Sequence, residues 1–317
     1  MKIVVLDSFP LNPGDNPWTA VAALGDLVVH ERTPAEKILA RAAGADVLLT
    51  NKVPLTAAML EQLPVLKLIC VLATGFNVVD VAAARRRGIP VCNVPVYGTD
   101  SVAQFVFALL LELCHHVALH SQRVHEGEWG RREWSFWDTP MIELSGRTMG
   151  VVGFGRIGRR VGELAHAFGM KVLAHDINRG AAPSYDAFAW AGIEEIFAQA
   201  DVVSLHCPLT AENRGLVNWA LLSRMRRDAF LINTSRGLLV NETDLAEALR
   251  QGTLAGAALD VVSEEPISAA NPLLKAPNCL LTPHIAWATL AARRRLTQTT
   301  AENIAAFLRG QPIHVVN

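Results

Sequence analysis

Short apolar runs recur along the first part of the chain, separated by stretches with helical spacing. KIVVLD (2–7), DLVVH (26–30), ADVLLT (45–50), LKLICVLA (66–73) and IPVCNV (89–94) predict strands, with helices over 34–43 and 55–63 between them. Continuous Val, Ile and Leu runs alternating with helices are the pattern of a parallel sheet covered on both faces. The rhythm then breaks. VYGTDSVAQFVFALLLELCHHVALHSQ (96–122) predicts one long helix starting near Thr99-Asp100, which supply N-cap chemistry, and apolar on nearly every side. Such a helix is expected to be buried all round, between domains or at a subunit interface. Residues 123–146 read as a long polar loop whose Trp129, Trp134 and Trp137 suit a pocket, a partner subunit or the local core.

A second α/β series begins at 147, with strands expected in RTMGVVGFG, KVLAHD, ADVVSLHCP, DAFLINTSRG, GAALDV and NCLLTPH. A helix over about 288–309 closes it, stopped by Gly310 and Pro312. Two such series in 317 residues predict two α/β domains, each with a doubly wound parallel sheet and its own core. Apolar residues are 51% and charged residues 19%, a globular composition. A net charge of −1 leaves no broad basic field, so nucleic acid and anionic membranes are not expected partners. The Arg85–Arg87 and Arg293–Arg295 clusters fall in helical segments and read as solvated faces. The opening MKIVVLDSFP does not read as a secretory signal, and no apolar run reaches the length of a membrane span. The five cysteines are scattered without a C-x-x-C pair, which suits a reducing, cytoplasmic setting. His116 and His120 have i, i+4 spacing beside His115, but without an HExxH or a carboxylate–cysteine cluster they read as helix-interface histidines. No metal is expected.

The sharpest local signal is Gly153-Phe154-Gly155-Arg156-Ile157-Gly158, placed after an apolar strand and opening a helix. Gly153 permits the tight turn, Gly155 lets a pyrophosphate reach the backbone, and Gly158 lets the helix pack on the strand. The helix N-terminus then offers N–H groups and a positive dipole to phosphate. The next strand ends at Asp176, whose carboxylate would accept the ribose hydroxyls of NAD and repel a 2′-phosphate. Arg179 could partly offset that repulsion, so NAD is expected and NADP stays open.

Chemistry has to come from the ends of the later strands. Arg236 follows AFLIN, Asp260, Glu264 and Glu265 follow GAALD, and His284 follows NCLL. An arginine can clamp a substrate carboxylate and polarise its carbonyl. A histidine can donate the proton that accompanies hydride transfer, and a carboxylate can orient that histidine and favour its charged form. His284, inside CLLTPHIAWAT (279–289), would by itself read as a core histidine satisfied by a neighbour rather than as a proton carrier.

Together these residues resemble the D-isomer-specific 2-hydroxyacid dehydrogenases over essentially the whole chain: GFGRIG with Asp176, NTSRG, LDVVSEEP and TPHIAWAT stand in that family's order. The resemblance implies Arg236 as catalytic arginine, Glu265 as the histidine's carboxylate partner and His284 as acid/base. It implies cofactor contacts at Arg156, Ile157, Asp176, Cys207, Thr234, Ser235, Arg236 and Asp260, and from His284 through Ala286. It also implies substrate-carboxylate binding by Thr74, Gly75 and Phe76 in LATGFNVVD, with Lys52 facing the cleft or lying on a surface loop. The implied fold is a Rossmann cofactor domain, 99–290, inserted into a discontinuous flavodoxin-like substrate domain, 1–98 plus 291–317, in a protein that forms homodimers.

Within the family VYGTDSVAQFVFALLLELCHH and HIAWAT look most like the glycerate dehydrogenase (hydroxypyruvate reductase) branch. The implied reaction is NAD(P)H-dependent reduction of a short 2-oxo acid, hydroxypyruvate or glyoxylate, to the D-2-hydroxy acid. D-lactate, phosphoglycerate or phosphite dehydrogenase, or an NAD(H)-sensing corepressor-like protein, are the other readings. Glu265 argues against formate dehydrogenase, which carries glutamine at that position.

Overall fold

The computed structural model describes residues 1–132 and 134–317. It divides into two compact units, Met1–Gly98 with Trp287–Asn317 and Thr99–Ala286. The chain returns to the first unit at Trp287, earlier than the expected 291.

The first unit holds five parallel strands, β1 (Lys2–Val5), β2 (Asp26–Val29), β3 (Val47–Thr50), β4 (Leu68–Val71) and β5 (Val91–Cys92). Their order, β2-β1-β3-β4-β5, is the flavodoxin-like doubly wound arrangement. β3 and β4 are buried along their whole length, which explains the unbroken apolar runs that encode them. Two cores cover the sheet, one built around Leu48, Ile69 and Leu60, the other around Ile3, Val5, Leu68 and Leu296. The Leu290–Leu308 helix belongs to the second of these cores and is capped by Thr289, whose hydroxyl accepts from Ala292 N–H.

The second unit holds seven parallel strands, β6 (Thr148–Val152), β7 (Lys171–His175), β8 (Phe188–Trp190), β9 (Val202–Leu205), β10 (Phe230–Asn233), β11 (Gly256–Leu259) and β12 (Cys279–Leu281). In the order β12-β11-β10-β9-β6-β7-β8 the winding reverses between β6 and β9. That is the Rossmann order with one further strand, and its switch point is where such sheets bind a dinucleotide. β8 was not anticipated from the sequence: FAW is a three-residue, half-exposed edge strand with no apolar run to announce it.

The single helix expected within 96–122, from Thr99 to about residue 119, is two helices. Thr99–His115 buries Val102, Val106, Leu109, Leu110 and Leu113 among Met149, Val151, Phe154 and Val161. His116 then turns into the left-handed region at φ 47°, and Val117–His125 departs at 56° with no buried residue. The apolar run ends at Cys114, whose carbonyl accepts from Ile142 N–H, and the polar sequence beyond has nothing to bury. Among the described residues no single helix is long and apolar enough to cross a membrane. Trp134 and Trp137 are 91% and 65% exposed, so neither fills the core of this chain.

Candidate active site

The turn after β6 is built around Gly153. Its φ of 94° lies in the left-handed region, and a Cβ there would sit 2.3 Å from the backbone nitrogen of Cys207. A Cβ on Gly158 would meet the Gly153 carbonyl at 2.0 Å, so the helix packs flush on the turn. Around Gly155 the space is open to 4 Å among the described residues. The Arg156–Ala167 helix starts there without a side-chain cap among the described residues, so its first N–H groups face an approaching anion unopposed.

Asp176, just past β7, accepts the Phe154 N–H (2.7 Å) through Oδ2 and the Asn178 N–H (2.8 Å) through Oδ1. The carboxylate is thereby fixed against the phosphate loop. The guanidinium of Arg179 lies 5.8 Å above the Trp190 ring. On the far side of the switch point Ser235 Oγ donates to the Cys207 carbonyl (2.6 Å), and Asn233 holds the turn through bonds to Ser235 N–H and the Arg236 carbonyl. Thr234 Oγ1 is buried with no partner among the described residues, an orphan that a bound cofactor can satisfy. An uncapped helix, an open glycine, a fixed carboxylate and an orphan hydroxyl fit a dinucleotide. Burial pushes the Cys207 thiol up, which keeps it protonated and argues against thiolate chemistry there.

His206, between β9 and Cys207, is pushed down to about 3 by burial, and its Nε2 lies 2.8 Å from Ser204 Oγ. The unfolded chain, with its ordinary value of 6.5, therefore binds one more proton than the folded chain between those two values. A depressed value contributes stability above pH 6.5 that is lost as pH falls toward 3. Urea unfolding of His206→Gln, followed from neutral to acidic pH, is expected to lose stability less steeply than wild type. A slope unchanged by the substitution would contradict a neutral, buried His206.

Around His284 the chain is organised by Asp260, which is 1% exposed. Its Oδ1 accepts Thr282 Oγ1 (2.6 Å) and Ile285 N–H (2.9 Å), its Oδ2 accepts Ala286 N–H (2.8 Å), and its carbonyl accepts His284 N–H (2.8 Å). Burial raises the Asp260 carboxyl above the usual range, opposed by those same donors and by the nearby His284. The Thr282–Ala286 turn is thus wrapped on one carboxylate, and His284 is held at φ 56°. From that position His284 Nδ1 meets Glu265 Oε2 at 2.7 Å.

Arg236 follows β10, is exposed, and donates to the Ser235 carbonyl (2.7 Å). The next residue ties its loop to that of Glu265. A Cβ on Gly237 would lie 1.9 Å from the carbonyl carbon of Val262 and 2.0 Å from its oxygen, so only glycine admits this approach. Sequence reasoning missed a further residue, Glu242, which accepts from both Ser263 and Asn271 on either side of Glu265. In NETDL it reads as an ordinary acidic residue of a first helical turn, and its partners lie more than twenty positions away.

In the first unit, Thr74 precedes Gly75 and Phe76 on the loop after β4. Thr74 Oγ1 donates to the Val94 carbonyl (2.8 Å), and its own carbonyl accepts Asn93 Nδ2 (2.7 Å). Lys52 has an exposed side chain, and its N–H, with those of Asn51 and Val53, donates to the buried Asp7 carboxylate.

The family model "D-isomer specific 2-hydroxyacid dehydrogenase, NAD binding domain" matches residues 107–286. The hydroxypyruvate reductase of Blautia hydrogenotrophica is 48% identical over 321 aligned residues, covering 100% of both chains. The glycerate dehydrogenase of Methylorubrum extorquens is 39% identical, covering 89% of this chain and 88% of its own length. The crystal structure of the TT0316 protein from Thermus thermophilus superposes with a TM-score of 0.89 at 35% identity, over 100% of both chains.

Proposed function

Because the chain belongs to the D-isomer-specific 2-hydroxyacid dehydrogenase family, we propose that it reduces hydroxypyruvate or glyoxylate to the corresponding 2-hydroxy acid, D where C2 becomes chiral. The observation that carries this reading is the 2.7 Å pair of His284 Nδ1 and Glu265 Oε2, on turns beyond the strands of an NAD-binding sheet. The names of the relatives from Blautia and Methylorubrum support the short, hydroxylated substrate.

NADH, when bound, would supply the hydride to C2 of the substrate. His284, protonated and held on Glu265 through Nδ1, gives its Nε2 proton to the carbonyl oxygen. Arg236 holds the substrate carboxylate and polarises the carbonyl, the work a guanidinium fork does well. In the other unit, the resemblance assigns the backbone N–H groups of Thr74, Gly75 and Phe76, with Lys52, to substrate binding. Gly153, Gly155 and Gly158 would admit the pyrophosphate, with Arg156 and Ile157 at the helix start. Asp176 would hold the adenosine ribose, and Cys207, Thr234, Ser235, Asp260 and Ala286 would help to hold the rest of the cofactor.

Asp176 makes NADH the preferred cofactor, since a 2′-phosphate would meet a carboxylate already fixed by two N–H donors. Asp176→Ala is expected to narrow the NADH over NADPH preference in kcat/KM by about tenfold or more, the order of one lost charge contact. Unaltered discrimination would refute the assignment.

The protein is further read as a cytoplasmic homodimer. The exposed Trp129, Trp134, Trp137, Met141 and Phe168 all lie in the cofactor-binding unit, where the resemblance puts the subunit interface.

The test of the substrate class is loss of NADH absorbance with hydroxypyruvate, glyoxylate, pyruvate, phenylpyruvate and 2-oxoglutarate in parallel, with phosphite and NAD as the reverse control. Rapid oxidation with the first two supports the reading. Tight NADH binding without turnover on any of them would favour a cofactor sensor, and preferred turnover of pyruvate or phosphite would move the protein to another branch.

A further inference from the structure

Glu242 opens the Glu242–Arg250 helix, where Asn241 already provides the cap through Thr243 and Asp244 N–H. Its carboxylate is therefore not needed to satisfy the helix end. It turns instead to the segment carrying Glu265. Oε1 accepts Ser263 N–H (2.5 Å), and Oε2 accepts both Ser263 Oγ (2.7 Å) and Asn271 Nδ2 (2.9 Å). Ser263 and Asn271 stand on opposite sides of Glu265, so one carboxylate gathers both ends of the loop that presents it. Asn271, 8% exposed, is fixed in turn by its Oδ1, which accepts Leu273 N–H (3.0 Å).

We propose that Glu242 is the positioning residue of the acid/base pair: it sets the Glu265 loop so that Oε2 stays on His284 Nδ1. This rests on the assignment of His284 as proton donor. Three donors converge on the two oxygens of Glu242, an arrangement that a carboxylate satisfies and an amide does not. In Glu242→Gln one oxygen becomes an NH2 group that faces donors. The loop then loosens, Glu265 spends less time at 2.7 Å, and the imidazolium loses its stabilising contact. The titratable groups facing this cluster are Asp260 and Glu265 around His284, and the Cys279 thiol, pushed up to about 12 by burial and then by Glu242. None of these carries the bonds that join Ser263 to Asn271.

The experiment is NMR of the His284 ring at one fixed pH in histidine-labelled, cofactor-free protein, for wild type, Glu265→Gln, Glu242→Gln, Ser263→Ala and the Glu242→Gln/Glu265→Gln double variant. The readout is the Nδ1 signal, which reports the hydrogen bond to Glu265. Glu265→Gln is expected to displace it. Glu242→Gln should displace it the same way by a smaller amount, and should add nothing when Glu265 is already glutamine. An effect of Glu242 that adds in the double variant would overturn the proposal. Ser263→Ala keeps the charge of Glu242 and removes one loop bond, so a displaced signal there supports positioning even where Glu242→Gln folds poorly. A wild-type signal in both Glu242→Gln and Ser263→Ala, with Glu265→Gln displaced, overturns the proposal alone. An unmoved signal in Glu265→Gln overturns the acid/base pair and this proposal with it.

Discussion

His284→Asn is expected to lower turnover in the reductive direction by about 10²- to 10⁴-fold, the contribution of one well-placed general acid. The change should fall on kcat and kcat/KM together, because the proton is transferred only in the transition state. NADH affinity should be little altered. Asparagine is the informative replacement because His284 sits at φ 56°, a conformation asparagine adopts more readily than most residues. The turn itself does not depend on the imidazole: Thr282, Ile285 and Ala286 hold it on Asp260. The variant should therefore fold, and its defect can be read as chemistry.

Glu265 holds the ring at 2.7 Å through Nδ1 and so orients Nε2 toward the substrate. Glu265→Gln is therefore expected to lower kcat in steady-state reduction, by a smaller factor than His284→Asn. Turnover of His284→Asn within a few-fold of wild type would remove His284 from the mechanism.

Arg236→Ala is expected to reduce kcat/KM for the 2-oxo acid by about 10²- to 10³-fold, in line with the 2–5 kcal/mol lost when one partner of a hydrogen-bonded charge pair is truncated. Part should appear in KM, from lost carboxylate binding, and part in kcat, from lost polarisation of the carbonyl. Arg236→Lys should recover only a fraction, since a point charge does not reproduce the guanidinium fork. Steady-state kinetics with hydroxypyruvate, alongside an NADH titration, separate these effects. The side chain is exposed and donates to the adjacent Ser235 carbonyl, so the fold should not depend on it. An unchanged KM and kcat would mean that the carboxylate is held elsewhere.

The strands were legible because a parallel sheet buried on both faces demands unbroken Val, Ile and Leu runs, as in Val47–Thr50 and Leu68–Val71. Phe188–Trp190 escaped because an edge strand, half exposed, makes no such demand. One helix from 99 to 119 is expected where there are two, because apolarity measures burial rather than direction and the left-handed turn at His116 leaves no mark in a hydrophobic pattern. Gly153, Asp176, Arg236 and His284 stand out because each follows a strand, where α/β sheets present ligand-binding groups, whereas only the family resemblance separates Glu265 from Asp260 and Glu264. Glu242 could not, because its role is set by hydrogen bonds to Ser263 and Asn271 that no local spacing encodes. The same holds for the bonds by which Asp260 holds the His284 turn with both carboxylate oxygens.

The most direct test of the account is the identity and configuration of the product formed from hydroxypyruvate and NADH by the purified protein, resolved by chiral chromatography. The account predicts D-glycerate in stoichiometric step with the NADH consumed. L-Glycerate, a racemate, or NADH binding with no glycerate formed would contradict it.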